Sequence, residues 1–244
     1  MKLKELNIFY INLSKNVDRN LYMINQFEKL GISNYQRFEA VDGQNLIDED
    51  KKFWLDKKNF KTLVSYLSNK TNQQKVLGRV GCFLSHMNCL RNSIDQNLDN
   101  ILILEDDVNI LGLSDFNECF IPKDSDLFYL GGTFWDQKKT NKKLDLIGSN
   151  LKIDVDRCKI AAGSSYLIYG KDKIKYIYDI LDSVKPSAID NLLINNIQTL
   201  GNSFVCEPQL CFHNDSFVSD VSNFGKPNLI GRGKYNELRL NYFN

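Results

Sequence analysis

Leu6-Asn7-Ile8-Phe9-Tyr10-Ile11-Asn12-Leu13, continued by SKNVDRNLYMINQFEKLGIS and closed by Tyr35-Gln36-Arg37-Phe38-Glu39-Ala40-Val41-Asp42-Gly43, sets the fold class. The first run is apolar, aromatic and β-rich, which marks a buried strand. Asp18 is placed to cap a helix whose apolar face is carried by Leu21, Ile24, Phe27 and Leu30, with Glu28 among them. Gly31 ends that helix, since a left-handed C-terminal residue favours glycine. Residues 35–41 form a second strand, closed by an Asp-Gly turn. Strand, helix and strand in that order begin an α/β domain with a mostly parallel sheet flanked by helices.

Outward from this unit the pattern continues. Residues 44–77 are polar and Lys/Asn-rich, with one amphipathic helix expected over 60–67, and read as an insertion over the sheet edge. Gly78-Arg79-Val80-Gly81 is expected to open a helix with Val80, Phe83, Met87, Leu90 and Ile94 at helical spacing. Residues 101–104 (ILIL) are a buried strand that stops at Glu105-Asp106-Asp107. Further strands are expected at 126–132, within 161–170 and at 203–212, the last interrupted by Pro208. Helices are expected at 171–184 and 188–199, and the tail at 216–244 reads as loop. The 244 residues suit a single domain with a substantial core.

Composition narrows the function. Lys+Arg 31 against Asp+Glu 30 gives a net charge of +1, so bulk charge offers nucleic acid no reason to bind. No run approaches the roughly 20 apolar residues of a membrane span, and the N-terminal apolar run is too short for a signal peptide. The expected location is cytoplasmic, at most peripheral to a membrane. The six cysteines are widely spaced and read as buried free thiols, and only His86 and His213 are present as histidines. A catalytic metal must therefore rely mainly on oxygen ligands.

Three carboxylates directly after a buried strand are costly unless something positive compensates them. Ligands gather at the carboxyl ends of strands in open α/β sheets, where these acids fall. Acids spaced i, i+2 at a strand end can face one pocket, and hard Mg2+ or Mn2+ takes such oxygens. A solvated acidic turn is the alternative.

The chain resembles glycosyltransferase family 25, the group that includes lipooligosaccharide and collagen hydroxylysine galactosyltransferases. The resemblance rests on segments matching in order: Ile11-Asn12-Leu13 with Asp18-Arg19, Ala40-Val41-Asp42-Gly43, Gly78-Arg79-Val80-Gly81-Cys82-Phe83-Leu84-Ser85-His86, Ile103-Leu104-Glu105-Asp106-Asp107, Ala161 to Ile168, Asp190 and Ser219-Asp220. It implies a GT-A fold, a Rossmann-like central sheet with the nucleotide on its N-terminal half. A UDP-sugar donor, Mn2+ or Mg2+, and inversion at the anomeric carbon are implied with it. By that resemblance Glu105-Asp106-Asp107 is the DxD-type motif, with Asp107 the first metal ligand and Glu105 next. His213 is the expected late-strand ligand. Asn12, Leu13, Arg19, Asp42, Gly78, Ser85, His86, Glu105 and Asp106 would line the donor, with Arg19 toward the diphosphate. Asp190 is the first choice for the base that deprotonates the acceptor, a glycan or a protein, and Asp136 the second. Thr133-Phe134-Trp135 is expected to stack on a sugar or to anchor its loop, and Lys138, Lys139, Lys142 and Lys143 read as a solvated face.

Two other functions compete. A sugar-1-phosphate nucleotidyltransferase shares the topology but needs a glycine-rich loop after the first strand, and INLSKN has no glycine. A non-catalytic nucleotide-sugar-binding scaffold would keep the fold without turnover.

Overall fold

A computed structural model describes residues 5–56, 58–61, 70–110, 121–122, 124–136, 146–147, 150–156, 158–161, 163–207, 209–214 and 216–217. The opening unit is β1 (Ile8–Asn12), α1 (Val17–Lys29) and β2 (Tyr35–Glu39), as its sequence predicts. After α2 (Asp48–Leu55) come α3 (Lys70–Asp95), β3 (Asn100–Glu105), β4 (Val108–Ile110), β5 (Leu127–Tyr129), β6 (Thr133–Asp136), β7 (Leu146–Ile147), β8 (Asn150–Lys152), β9 (Cys158–Ala161) and β10 (Ser165–Tyr169). The last elements are α4 (Lys171–Ser183), α5 (Ile189–Leu192), β11 (Ser203–Cys206) and β12 (Cys211–His213). Between α5 and β11 the helix widens to a π turn over Leu193–Ile197 and tightens to a 3-10 turn over Gln198–Leu200.

The main sheet runs β2-β1-β3-β10-β5-β11-β8-β7. β1 lies parallel to β2 and β3, and β5 parallel to β11, while β10 runs antiparallel between β3 and β5. Two short ribbons, β4 with β12 and β6 with β9, stand outside it. This is the expected α/β architecture with a Rossmann-like half.

Side-chain alternation along the strands divides the core into two layers. Phe9, Ile11, Ile101 and Ile103 pack with Val80, Phe83, Met87 and Leu90 of α3. Ile8, Tyr10, Leu102 and Leu104 pack with Met23 and Phe27 of α1. Parity therefore fixes which layer each residue at a strand end will meet.

Several boundaries differ from expectation. α1 has Asn16 at its N-cap with no side-chain cap, so Asp18 lies inside the first turn. Its buried row is Arg19, Met23 and Phe27, whereas Leu21 is 53% exposed. The row at i, i+4 and i+8 wins because it reaches both the apolar layer and, through Arg19, the acids. Gly31 has φ 61°, and the bonds from Ile32 N–H to Phe27 C=O and Gly31 N–H to Glu28 C=O close the helix as expected. The expected strand over 203–212 is two strands in different sheets.

The largest boundary error concerns Gly78 and Gly81, which lie inside α3 rather than opening it. A Cβ on Gly81 would stand 2.4 Å from the Val41 carbonyl oxygen, and one on Gly43 1.8 Å from that of Leu77. The glycines of this pair let α3 cross the loop after β2 backbone to backbone. Ser85 fastens the crossing, donating to Gly81 C=O at 2.7 Å and accepting from Val41 N–H at 2.8 Å. Gly81→Ala is expected to destabilise by about 2 kcal/mol through overpacking, despite the ~1 kcal/mol alanine gains in a helix interior. A fall in thermal midpoint checks this, and an unchanged midpoint would refute the close crossing.

No helix among the described residues is long and apolar enough to cross a membrane. Among the described residues Cys82, Cys89, Cys158, Cys206 and Cys211 are thiols outside any disulfide, all but Cys82 buried, in line with the thiol reading. The expected helix over 60–67, Lys138, Lys139, Lys142, Lys143, and Ser219-Asp220 lie wholly or largely outside the described residues.

Candidate active site

The acids after β3 do not share one direction. Glu105 has the parity of Ile101 and Ile103 and faces the α3 layer, where its Oε1 lies 3.3 Å from His86 Nε2 and 3.8 Å from Cys82 Sγ. Asp106 has the parity of Leu102 and Leu104 and faces α1. Its Oδ1 accepts from Arg19 at 2.8 Å and its Oδ2 from Asn12 Nδ2 at 2.7 Å. The chain turns at 106–107, so the i, i+2 rule no longer holds and Asp107 takes its own partners. Its Oδ2 is 3.1 Å from His213 Nε2 and 3.7 Å from Arg19. Its Oδ1 is buried with no hydrogen-bond partner among the described residues.

The pairing of β4 with β12 brings Asp107 and His213 together across more than a hundred residues. His213 is in register with Val108, and the Asn214 N–H donates to the Asp107 carbonyl at 2.7 Å. Phe217 then stands against Tyr22 and under the Arg19 guanidinium, 5.4 Å from its carbon. An orphaned carboxylate oxygen beside an imidazole pairs a hard oxygen ligand with a nitrogen, a mixed set that suits Mn2+ better than Mg2+.

Asn12 is the hub under Asp106. It is 1% exposed, donates also to Asn16 C=O, and its Oδ1 accepts from Arg37 at 2.8 Å. Burial pushes the Asp106 carboxyl up, while Arg19 and Asn12 pull it back. Arg19, expected at the diphosphate, turns its Nη1 to Asp106 and Asp107. Asp42 caps the turn after β2 through Gln44 N–H and pairs with Lys15 at 2.7 Å, at the open end of β1 and β2. Leu13 is half-buried beside it, with its carbonyl accepting from Asn16 N–H.

On the other layer His86 is fully buried and stacked on Tyr166, whose hydroxyl lies 2.9 Å from His86 Nδ1. Asp190, at the start of α5, comes close to Glu105 across Gly163. A Cβ on Gly163 would be 2.7 Å from Asp190 Oδ1 and 3.4 Å from Glu105 Oε1. Asp190 Oδ1 has no hydrogen-bond partner among the described residues. Burial, and then the Glu105 charge, raise the Asp190 carboxyl to about 6; the Gly163 N–H and His86 oppose the rise. A carboxyl tuned toward neutrality is suited to proton transfer.

The structure thus brings Glu105, His86 and Asp190 together, and Asp107 with His213. Asp136 ends β6 opposite Cys158, with its side chain outside the described residues. Phe134 is buried in the core, which favours anchoring its loop. Cys82, Gly163 and Tyr166 escaped the sequence reading as functional positions. Cys82 left one trace, its spacing of four from His86 on the same helix; Gly163 and Tyr166 act through contacts that no local pattern shows.

The model of "Glycosyltransferase family 25 (LPS biosynthesis protein)" matches residues 5–193. Over 107 residues the chain is 34% identical to a glycosyltransferase 25 family member of Anopheles gambiae, covering 44% of this chain and 17% of that protein. Procollagen galactosyltransferase 2 of Mus musculus is 35% identical over 101 residues, 41% of this chain and 15% of that protein. A putative glycosyltransferase R655 of Acanthamoeba polyphaga mimivirus is 35% identical over 108 residues, 44% of this chain and 30% of that protein. The matched stretch is thus less than a third of the length of each relative.

Proposed function

Because this chain belongs to glycosyltransferase family 25, we propose that it transfers a hexose from a UDP-sugar to an acceptor hydroxyl, with inversion at the anomeric carbon. The observation that carries this reading is the division of labour among the acids. Asp106 ties the loop to α1, Asp107 pairs with His213, and Glu105 stands with Asp190.

Asp107 and His213 would hold Mn2+ or Mg2+, which when bound supplies charge neutralisation at the donor diphosphate. Glu105, first expected as a second ligand, is better placed as the partner of Asp190. Asn12 and Leu13 form the floor of the nucleotide side, with Asp42 at its rim toward the nucleoside. Ser85 and Gly81 are positioning residues in the α3 crossing, and Gly78 lies one turn earlier on the same helix. Asp190 takes the proton from the acceptor oxygen, and the Glu105 charge beside it makes it a better base. The galactosyltransferase among the relatives favours galactose as the hexose, and the acceptor is a glycan or a protein.

Calorimetric titration with UDP, with and without Mn2+, tests the donor side. Mn2+-dependent binding is expected, weakened at least ~10-fold in Asp107→Asn, which corresponds to about 1.4 kcal/mol. Equal affinity in that variant would remove Asp107 from the metal site.

A further inference from the structure

Cys82 and His86 stand four residues apart on α3, so their side chains leave the same face one turn apart. Glu105 Oε1 completes a triangle with them, and the three donor atoms lie within 4.8 Å of one another. A tetrahedral ion with Zn–N and Zn–O near 2.0 Å and Zn–S about 2.3 Å needs donor–donor edges of roughly 3.3–3.6 Å. The edges at Glu105 are 3.3 Å to nitrogen and 3.8 Å to sulfur. The triangle is therefore already close to a coordination face.

The surroundings are those of a built site. A metal-bound imidazole usually gives its other nitrogen to a fixed partner. His86 Nδ1 has one in the Tyr166 hydroxyl at 2.9 Å, with the two rings stacked. The buried Asp190 Oδ1, with no hydrogen-bond partner among the described residues, stands outside the triangle but borders Gly163 together with Glu105 Oε1, so a side-chain shift toward the triangle would supply the fourth ligand.

We propose that Cys82, His86, Glu105 and Asp190 form a second cation site that takes Zn2+, separate from Asp107 and His213. One sulfur, one imidazole and two carboxylates select zinc over Mg2+, which prefers oxygen alone. Coordination replaces the Cys82 thiol proton, which leaves to solvent. Filling the site withdraws Asp190 and Glu105 from the acceptor, so zinc inhibits transfer; that consequence rests on the role proposed above for Asp190, whereas the binding does not.

Titration of the full chain with Co2+, a spectroscopic stand-in for Zn2+, tests it. A thiolate-to-cobalt charge-transfer band is expected in the near ultraviolet, saturating at one equivalent and displaced by Zn2+. Cys82→Ser should eliminate the band, and Asp107→Asn should retain it. No band in the wild type, or an unchanged band in Cys82→Ser, overturns the site. If Cys82→Ser does not fold, X-ray absorption on the zinc-loaded wild type gives the same answer: one sulfur at about 2.3 Å supports the site and none overturns it. A cobalt band in a protein that binds no UDP in Mn2+ would leave the zinc site standing and remove the transferase reading.

Discussion

Asp190→Asn is expected to lower kcat by roughly 10²–10⁴-fold, the usual contribution of a positioned base, with Mn2+-dependent UDP affinity little changed. The amide keeps the size of the side chain but takes no proton. A donor-binding role would instead raise the UDP dissociation constant, so the split between kcat and affinity decides between them. The titratable groups facing Asp190 are Glu105, His86, Cys82 and Tyr129, and its carboxyl is raised to about 6. In zinc-free Mn2+ buffer the wild-type rate should therefore rise with pH through a limb near 6 and level above it, and the variant should lose that limb. The stability sign is opposite to that of a salt-bridged acid. A folded value above the unfolded one means stability is highest below about 4 and is lost as pH rises through about 6. The charged carboxylate thus costs on the order of 2–3 kcal/mol at neutral pH, and Asp190→Asn should melt higher than wild type at pH 7. A variant with full activity, or one that melts lower, would defeat the assignment.

Asp106→Ala is expected to act on stability, costing about 3 kcal/mol, the scale for breaking a buried ion pair. Arg19 would lose the nearer of its two carboxylates, and Asn12 Nδ2 one of its two acceptors, in a layer sealed by Met23 and Phe27. The contrast with Asp107→Asn is the informative part. Neighbouring acids should fail differently, one by unfolding and the other by losing the nucleotide. A double variant, Arg19→Met with Asp106→Leu, should cost less than the sum of the single changes, because the two apolar side chains leave no charge stranded. Additive losses in denaturant melts would show that the pair is not coupled.

Much of this arrangement was legible in the residues. ILIL followed by three acids marks a buried strand that ends abruptly, with a ligand-binding sheet end or a solvated acidic turn as the two readings of the acids. His213 as the partner of Asp107 followed from the resemblance, and the β4–β12 register places the two together. Sequence failed where the deciding contact was remote. Gly78 and Gly81 read locally as a helix start, yet they lie inside α3, where Val76, Leu77 and Val80 are already buried. The glycine at 81 answers to Val41 and Gly43, dozens of residues earlier. The divergence of Glu105 from Asp107 was missed because the period of two was carried past the last strand residue into a turn. The irregular spacing of the cysteines points only to buried free thiols and hides that Cys82 meets a carboxylate on another element.

The β4–β12 ribbon also sets a rule for recombination. His213 lies beyond residue 193, where the family match stops, and β11 occupies an interior position in the sheet between β5 and β8. Swapping acceptor specificity with a relative by joining fragments at the edge of the shared region would separate Asp107 from His213, the two halves of the proposed metal shell. It would also leave a central strand to be supplied by a foreign parent. A working chimera should therefore inherit 100–110 and 203–214 from one ancestor, however far apart they lie on the chain.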